Sequence, residues 1–192
     1  MEKKFDVKKL EKLNNPKMLE YVNPDLVWNT LALGKAKTLV DIGAGTGVFA
    51  VRFMKKTANG KMYACDISDA MIDWMNENLP ADARDSVVPV KMEESSVPLP
   101  DGMADLVYMI NLHHELYEPE KVIAECHRLL KGGGNLMIID WKKSETPYGP
   151  PVSIRVDADT IAAQMQKGGF SGVKVHGVLP YHSFVVGTKD KG

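Results

Sequence analysis

Cysteine is nearly absent from this chain of 192 residues, which carries only Cys65 and Cys126. Two thiols at no metal-ligand spacing exclude a disulfide scaffold and a zinc module, and both are expected as buried free thiols. An excess of one charge is also missing: 24 Lys and Arg face 25 Asp and Glu, a formal net charge of -1. The basic footprint of a nucleic-acid binder is therefore lacking, and no nucleic-acid partner is expected. No stretch approaches the roughly 18 consecutive apolar residues of a membrane span. The mixed-charge start Met1-Glu2-Lys3-Lys4-Phe5 has no apolar core of a targeting signal. The expectation is a cytoplasmic protein with no membrane partner. What is present, 44% hydrophobic and 26% charged residues, suits a folded domain and excludes disordered, collagen-like and coiled-coil chains.

Hydrophobic periodicity alternates between two kinds of segment. Short β-rich runs occupy residues 38–42, 61–65, 87–90, 106–110 and 136–139. Helical patterns lie between them, from 47 to about 56, from 68 to about 78 with Ser68 as N-cap, and from 119 to 130 with Pro119 in the first turn. Strand and helix in repeated alternation predict an α/β fold, doubly wound around a parallel sheet covered on both faces. Residues 5–33 read as amphipathic helix interrupted at Pro16 and Pro24. A helix over about 157–167 ends at Gly168-Gly169, and two β runs at 173–178 and 183–187 are spaced as an antiparallel hairpin. No linker divides the chain, so residues 1–34 are expected as a helical segment packed over a single domain of residues 35–192.

The most informative stretch is Val40-Asp41-Ile42-Gly43-Ala44-Gly45-Thr46-Gly47-Val48, where a strand runs through three alternating glycines into a helix. Glycines let the backbone approach a ligand without a Cβ in the way, and a helix start offers free N–H groups. The same pattern also makes a tight turn with nothing bound. A dinucleotide fingerprint reads Gly-x-Gly-x-x-Gly, but here the third glycine comes one residue early, which weighs against a nicotinamide-dependent oxidoreductase. Asp41 sets a carboxylate beside the loop, which suits a cationic ligand better than a pyrophosphate. Asp66, closing the second β run, can accept both hydroxyls of a ribose or serve as a helix-capping acid.

With these residues in view, the chain resembles the class I S-adenosylmethionine-dependent methyltransferases, of the small-molecule type that includes quinone-biosynthesis enzymes. The resemblance runs from about residue 38 to residue 140. It implies a Rossmann-like, mostly parallel seven-stranded sheet whose last strand is antiparallel, with S-adenosylmethionine as cofactor. Asp41 and the backbone of Gly43, Ala44, Gly45 and Gly47 match the motif around the methionine moiety. Asp66 matches the ribose acid and Ile67 the apolar neighbour that packs on adenine. Lys91-Met92-Glu93-Glu94-Ser95, followed by Leu99-Pro100-Asp101-Gly102, resembles the stretch at the adenine edge, with Glu93 accepting from the exocyclic amine and the Glu94 N–H reaching a ring nitrogen. The family more often carries Asp followed by Ala there. Asn111-Leu112-His113-His114-Glu115 resembles the segment after the fourth strand, and Arg128-Leu129-Leu130-Lys131-Gly132-Gly133-Gly134 the turn before the fifth, with Gly132 where Pro is usual.

The residue types also suit that ligand on their own chemistry. Acids at Asp41, Asp66 and Glu93 and glycine-lined N–H donors answer its ammonium, ribose, adenine and carboxylate, and backbone carbonyls at Asn111 and Leu112 can approach the ammonium. Direct in-line methyl transfer asks the protein mainly to align a small-molecule acceptor and exclude water. His113 and His114 are the candidate catalytic residues, either one orienting or deprotonating the acceptor, with a helix cap or a bond to the N-terminal segment as the alternative. Three consecutive residues do not converge on one ion, so His113-His114-Glu115 is not read as a metal site. Phe5, Tyr21 and Trp28 are candidate lid residues, Trp141 a candidate pocket wall, and Lys142 and Lys143 are expected in solvent. The rival readings are the oxidoreductase and a noncatalytic S-adenosylmethionine-binding protein. A monomer or homodimer is expected.

Overall fold

The computed structural model describes residues 16–192 apart from Lys35 and Ala58. Phe5, Leu10 and Leu13 of the expected N-terminal helix lie outside the described residues. The elements are α1 (Pro16–Tyr21), α2 (Pro24–Leu31), β1 (Thr38–Ile42), α3 (Val48–Met54), β2 (Lys61–Asp66), α4 (Asp69–Asn78), β3 (Val87–Lys91), β4 (Ala104–Ile110), α5 (Pro119–Leu129), β5 (Leu130–Trp141), α6 (Ala158–Lys167), β6 (Phe170–His176) and β7 (His182–Lys189). Single 3₁₀ turns occupy His113–Glu115 and Val152–Ile154.

The seven strands form one sheet in the order β3-β2-β1-β4-β5-β7-β6. β1 to β5 are parallel, and β7 runs antiparallel to both β5 and β6. Alternation along each strand sorts the core into two layers. Leu39, Met62, Leu106, Tyr108 and Met137 pack with Val27, Phe49, Phe53 and Met75 of α2, α3 and α4. Val40, Ile42, Val107, Met109, Leu136 and Ile138 pack with Ile123, Cys126, Ile161 and Met165 of α5 and α6. Both faces are therefore covered, and the chain reverses direction across the sheet between β1 and β4. Ligands of open α/β sheets bind at the carboxyl ends of the strands beside such a reversal.

Local chemistry fixes where the helices start. Asn23 caps α2 by accepting from the N–H groups of Asp25 and Leu26, each at 3.0 Å, with Pro24 in the first turn. Asp157 caps α6 through the Thr160 N–H at 2.8 Å. Ser68 stands at the N-cap of α4, as its sequence suggests, but makes no side-chain cap bond; its N–H donates instead to Asp66 Oδ1 at 2.9 Å. The glycines expected as a turn before the fifth strand are part of β5 itself. Between the pairs Ala104–Leu130 and Leu106–Asn135, β4 advances two residues and β5 five, so Lys131 and Gly132 to Gly134 form a bulge with Gly133 at φ +83°. Cys65 and Cys126 are buried, and burial pushes both thiols up.

Asp105, just inside β4, ties the amino edge of the sheet together. Its Oδ2 accepts from the N–H groups of Lys37 and Thr38 at 2.9 and 2.8 Å, and its Oδ1 meets Lys131 Nζ at 2.7 Å. Burial works against its charge, but the Lys131 and backbone bonds prevail and hold the carboxyl below its usual range. That stabilisation is present above the ordinary carboxylate range and is lost as pH falls through the lowered folded value. Asp105→Ala is expected to cost about 1–3 kcal/mol at neutral pH, with the penalty vanishing in acid. Denaturant midpoints at pH 7 and pH 3 check this, and an equal penalty at both would contradict it.

Candidate active site

β1 delivers the chain into the glycine loop at the carboxyl edge, where Gly43, Gly45 and Gly47 stand at φ +73°, +56° and +73°. A Cβ on Gly43 would lie 2.7 Å from Leu112 Cδ2, so the loop and the segment after β4 touch through the space that glycine leaves. The loop is held from β2. The N–H groups of Gly43 and Ala44 both donate to the Cys65 carbonyl at 2.9 Å, and the Gly45 N–H donates to Asp66 Oδ2 at 2.8 Å. Asp66 thus joins the loop through one oxygen to the start of α4 through the other. Burial raises its proton affinity despite these donors and the nearby Lys91.

Beyond Asp66 the chain turns outward. Ile67 is 59% exposed. Its carbonyl accepts from Lys91 Nζ at 2.8 Å, and Lys91 also pairs with Asp69 at 2.7 Å. Glu93 and Glu94 are exposed, with the Glu93 N–H donating to the Ser96 carbonyl in a tight turn. Asp101, in the motif that follows, pairs instead with Arg128, whose guanidinium also donates to Glu125 and to the carbonyls of Val97 and Leu99. That motif acts here as a clamp between the β3–β4 connection and α5.

Asp41 lies buried beneath the loop and accepts from the Tyr108 hydroxyl at 2.9 Å. Burial, reinforced by Asp66, pushes its carboxyl up to about 8 against the pull of that bond. Asn111, at the end of β4, adopts φ +58° and donates through Nδ2 to Met18 Sδ of α1 at 3.1 Å. Its Oδ1 is buried with no hydrogen-bond partner. An orphaned acceptor at a strand end beside an open-backed loop marks a place for a donor.

The two histidines diverge. His113 is buried, and its Nε2 meets Gln164 Oε1 of α6 at 2.8 Å; burial lowers its proton affinity. His114 turns the other way, toward β5. Its N–H donates to Asp140 Oδ2 at 3.0 Å, and its Nδ1 lies 2.7 Å from Asp140 Oδ1.

Beyond β5 a strap crosses the same edge. Arg155, only 4% exposed, donates to the carbonyls of Lys142, Ser144 and Pro150 and to the Thr146 hydroxyl at 2.6–3.0 Å, while its guanidinium sits 5.5 Å from the Trp141 ring centroid. Tyr148 of the strap stacks on Tyr21 at 5.7 Å, and Tyr21 also meets Trp141 and Tyr181. Trp28 packs on Phe53 inside the helix layer, away from this cluster. Lys142, expected in solvent, donates to the carbonyls of Leu179 and Pro180. Asp140, Arg155, Tyr108 and Gln164 escape the sequence reading as partners. For Asp140 a signal existed, an acid closing an apolar run at the ligand edge; for a lone arginine in a loop there is none.

The comparisons with known proteins fit this geometry. The family described as a methyltransferase domain matches residues 40–138. A solved S-adenosylmethionine-dependent methyltransferase from Aquifex aeolicus is 32% identical, with 96% of this chain and 99% of that one covered and a TM-score of 0.85. The chain belongs to the class I S-adenosylmethionine-dependent methyltransferases. The ubiquinone/menaquinone biosynthesis C-methyltransferase of Bordetella avium is 26% identical over 131 residues, 65% of this chain. The chain spans about half the length of the curated relatives it matches. Human N-acetylserotonin methyltransferase, solved with S-adenosylmethionine, is 16% identical over 96% of this chain and 56% of its own, TM-score 0.76, and shares the fold. The matched span takes in the glycine loop, and membership of this family sets aside the oxidoreductase reading.

Two outcomes follow from these contacts. Because folded Asp41 binds its proton up to about pH 8 and the unfolded carboxyl only to about 4, its burial lowers stability as pH rises through that window. Asp41→Asn is expected to flatten the slope of unfolding midpoint against pH from 5 to 8.5, and an unchanged slope would contradict the assignment. Arg155→Met leaves three strap carbonyls without their donor and is expected to cost about 1–3 kcal/mol, with limited proteolysis newly cutting between Lys142 and Pro150. An unaltered cleavage pattern in this variant would show that the strap does not depend on it.

Proposed function

We propose that this methyltransferase binds S-adenosylmethionine across the carboxyl ends of β1, β2 and β4 and passes its methyl group directly to a small-molecule acceptor. The observation that carries the reading is Asn111 Oδ1, a buried acceptor without a donor, set beside a loop of three positive-φ glycines. The donor set suits the cofactor. Its ammonium is answered by Asn111 Oδ1 and the carbonyls of Asn111 and Leu112, and its carboxylate by N–H groups along Gly43, Ala44, Gly45 and Gly47. Asp41, which holds its proton up to about pH 8, lies beneath the loop as a neutral polar group. Asp66 has lone pairs left for the ribose hydroxyls, exposed Ile67 offers an apolar face to adenine, and Glu93 with the Glu94 N–H lies at the adenine edge.

When bound, the cofactor supplies a methyl carbon activated by a positive sulfur. The protein's share is alignment and exclusion of water. α1, the Tyr21–Tyr148 stack and the Arg155-bound strap lie over the edge where the acceptor would sit, which supports reading the N-terminal segment, as far as it is described from Pro16 on, as a lid on the domain of residues 35–192. The acceptor is held beyond β4 and β5, where Trp141 and His114 face it; His113, bonded to α6, supports that turn from behind. The expected partner is a small molecule, with the chain acting as a monomer or homodimer. Two unpaired buried thiols are in keeping with a cytoplasmic setting.

Calorimetry with S-adenosylhomocysteine tests the reading. The native chain is expected to bind it and to give no heat with NAD. Asp66→Asn, which sets an amide NH2 against one of the two N–H donors, is expected to weaken binding by about 1–3 kcal/mol through the ribose contact and the loop together, with the far-UV circular dichroism of the domain unchanged. Failure of the native chain to bind, or undiminished affinity in the variant, would sink the cofactor site and the Asp66 role respectively.

A further inference from the structure

Asp140 makes an unusual set of contacts for a carboxylate at a strand end. It is fully buried on β5, and both oxygens are engaged. Oδ2 accepts from the His114 N–H at 3.0 Å, while Oδ1 accepts from the Trp141 N–H at 2.7 Å and faces His114 Nδ1 at 2.7 Å. Backbone and ring of one histidine are therefore gripped by the same group: the N–H bond fixes the turn on Asp140, and the imidazole cannot rotate away without breaking the Nδ1 bond. A carboxylate opposite Nδ1 requires the proton on that nitrogen, which leaves Nε2 as the free base. Nε2 points toward Glu115 Oε1 at 3.9 Å, beyond hydrogen-bond reach, from a side chain that is 5% exposed. It is the one polar atom of the pair left for an outside partner.

We propose that Asp140 is a positioning residue that holds His114 with Nε2 unprotonated and aimed at the acceptor, so that Nε2 takes the proton the acceptor loses on methylation. This rests on the function proposed above and adds to it that the acceptor is protic, a hydroxyl, amine or thiol rather than a group already lacking a proton. An electron pair of the acceptor forms the bond to the methyl carbon, the carbon–sulfur bond breaks with its electrons returning to sulfur, and the acceptor's proton passes to Nε2. The imidazolium so formed is balanced by Asp140. The charged and titratable groups acting on this ring are Asp140 from β5, Glu115 and His113 from its own turn, and Arg155 from the strap. Burial opposes a charged ring, and Arg155 adds to that opposition, but the Asp140 bond and charge together with Glu115 outweigh both and raise the imidazole above its ordinary value.

The test uses the full chain labelled with ¹⁵N at histidine and saturated with S-adenosylhomocysteine. Ring ¹⁵N shifts of His114 at pH 8.5 are expected to show Nδ1 protonated and Nε2 bare; the opposite tautomer overturns the proposal. In Asp140→Asn the amide can donate to Nδ1, and the tautomer is expected to invert. Methyl transfer from labelled S-adenosylmethionine into a small-molecule extract of the source cells is then expected to fall about 10²- to 10⁴-fold. The acidic limb of its pH profile moves to lower pH, while S-adenosylhomocysteine affinity stays put. His114→Gln should lose the limb altogether. Equal rates and an unmoved limb in these variants overturn the base role and leave cofactor binding standing, whereas absence of S-adenosylhomocysteine binding by the native chain removes the proposed function and this inference together.

Discussion

The glycine loop holds its shape because Asp66 grips it from the neighbouring strand. A run of positive-φ residues has no intrinsic reason to settle in one conformation, since glycine has more freedom to lose than any other residue. The Gly45 N–H on Asp66 Oδ2, the Ser68 N–H on Oδ1 and the paired donations of Gly43 and Ala44 to the Cys65 carbonyl supply that reason. One carboxylate therefore sets the loop after β1 and the start of α4 relative to each other, and everything that approaches the carboxyl edge meets a surface defined by it. The residue proposed to hold the ribose is thus also the one that fixes the scaffold around it.

Much of the fold was legible because the alternation of β-rich and helical segments is a period signal, and period survives without knowledge of tertiary contacts. Thr38–Ile42 has the expected bounds, and the other strands and helices fall within a few residues of their expected ends, except β5, which starts at Leu130 rather than at 136. Sequence and structure part where a local signal has two tertiary meanings. Gly132 to Gly134 look like a turn, yet they lie inside β5 as a bulge, because β5 pairs with β4 on both sides of them, at Leu130 and again from Asn135. Ser68 looks like a cap by identity, but Asp66 is close enough to take the helix N-terminus through the backbone instead. Lys142 looks solvated, but two carbonyls of the connection before β7 lie within its reach.

The candidate site was legible in its glycines and acids and illegible in its pairings. His113 and His114 are equivalent as sequence; only the direction of a 3₁₀ turn sends one to Gln164 on α6 and the other to Asp140 on β5. Arg155 lies more than a dozen residues from Trp141 in the chain and carries no periodic or motif signal, yet it organises the strap that packs Tyr148 onto Tyr21. That stack, with the Asn111–Met18 contact, joins α1 to the site at two separate points. A helix of six residues has little stability of its own, so its position over the edge is set by these contacts rather than by helix propensity.

Three buried acids, Asp41, Asp66 and Asp140, stand at the carboxyl ends of β1, β2 and β5. Burying carboxylates is costly, and a sheet edge built only for stability would place apolar residues there. Each is answered by neutral donors, Tyr108 for Asp41, the Gly45 and Ser68 N–H groups for Asp66, and the His114 and Trp141 groups for Asp140, rather than by a lysine or arginine in direct contact. Hydrogen bonds from neutral groups stabilise a carboxylate without cancelling its field. Asp41 keeps its proton up to about pH 8 and burial raises the proton affinity of Asp66, so at these two positions the edge takes on negative charge only as pH rises, and the nearby cations Arg155 and Lys142 are held by carbonyls rather than by these acids. These acids are therefore arranged as hydrogen-bonding groups first, each fixed by donors from a neighbouring strand, turn or loop, and the cofactor proposed for this edge would meet oxygens whose positions are already set.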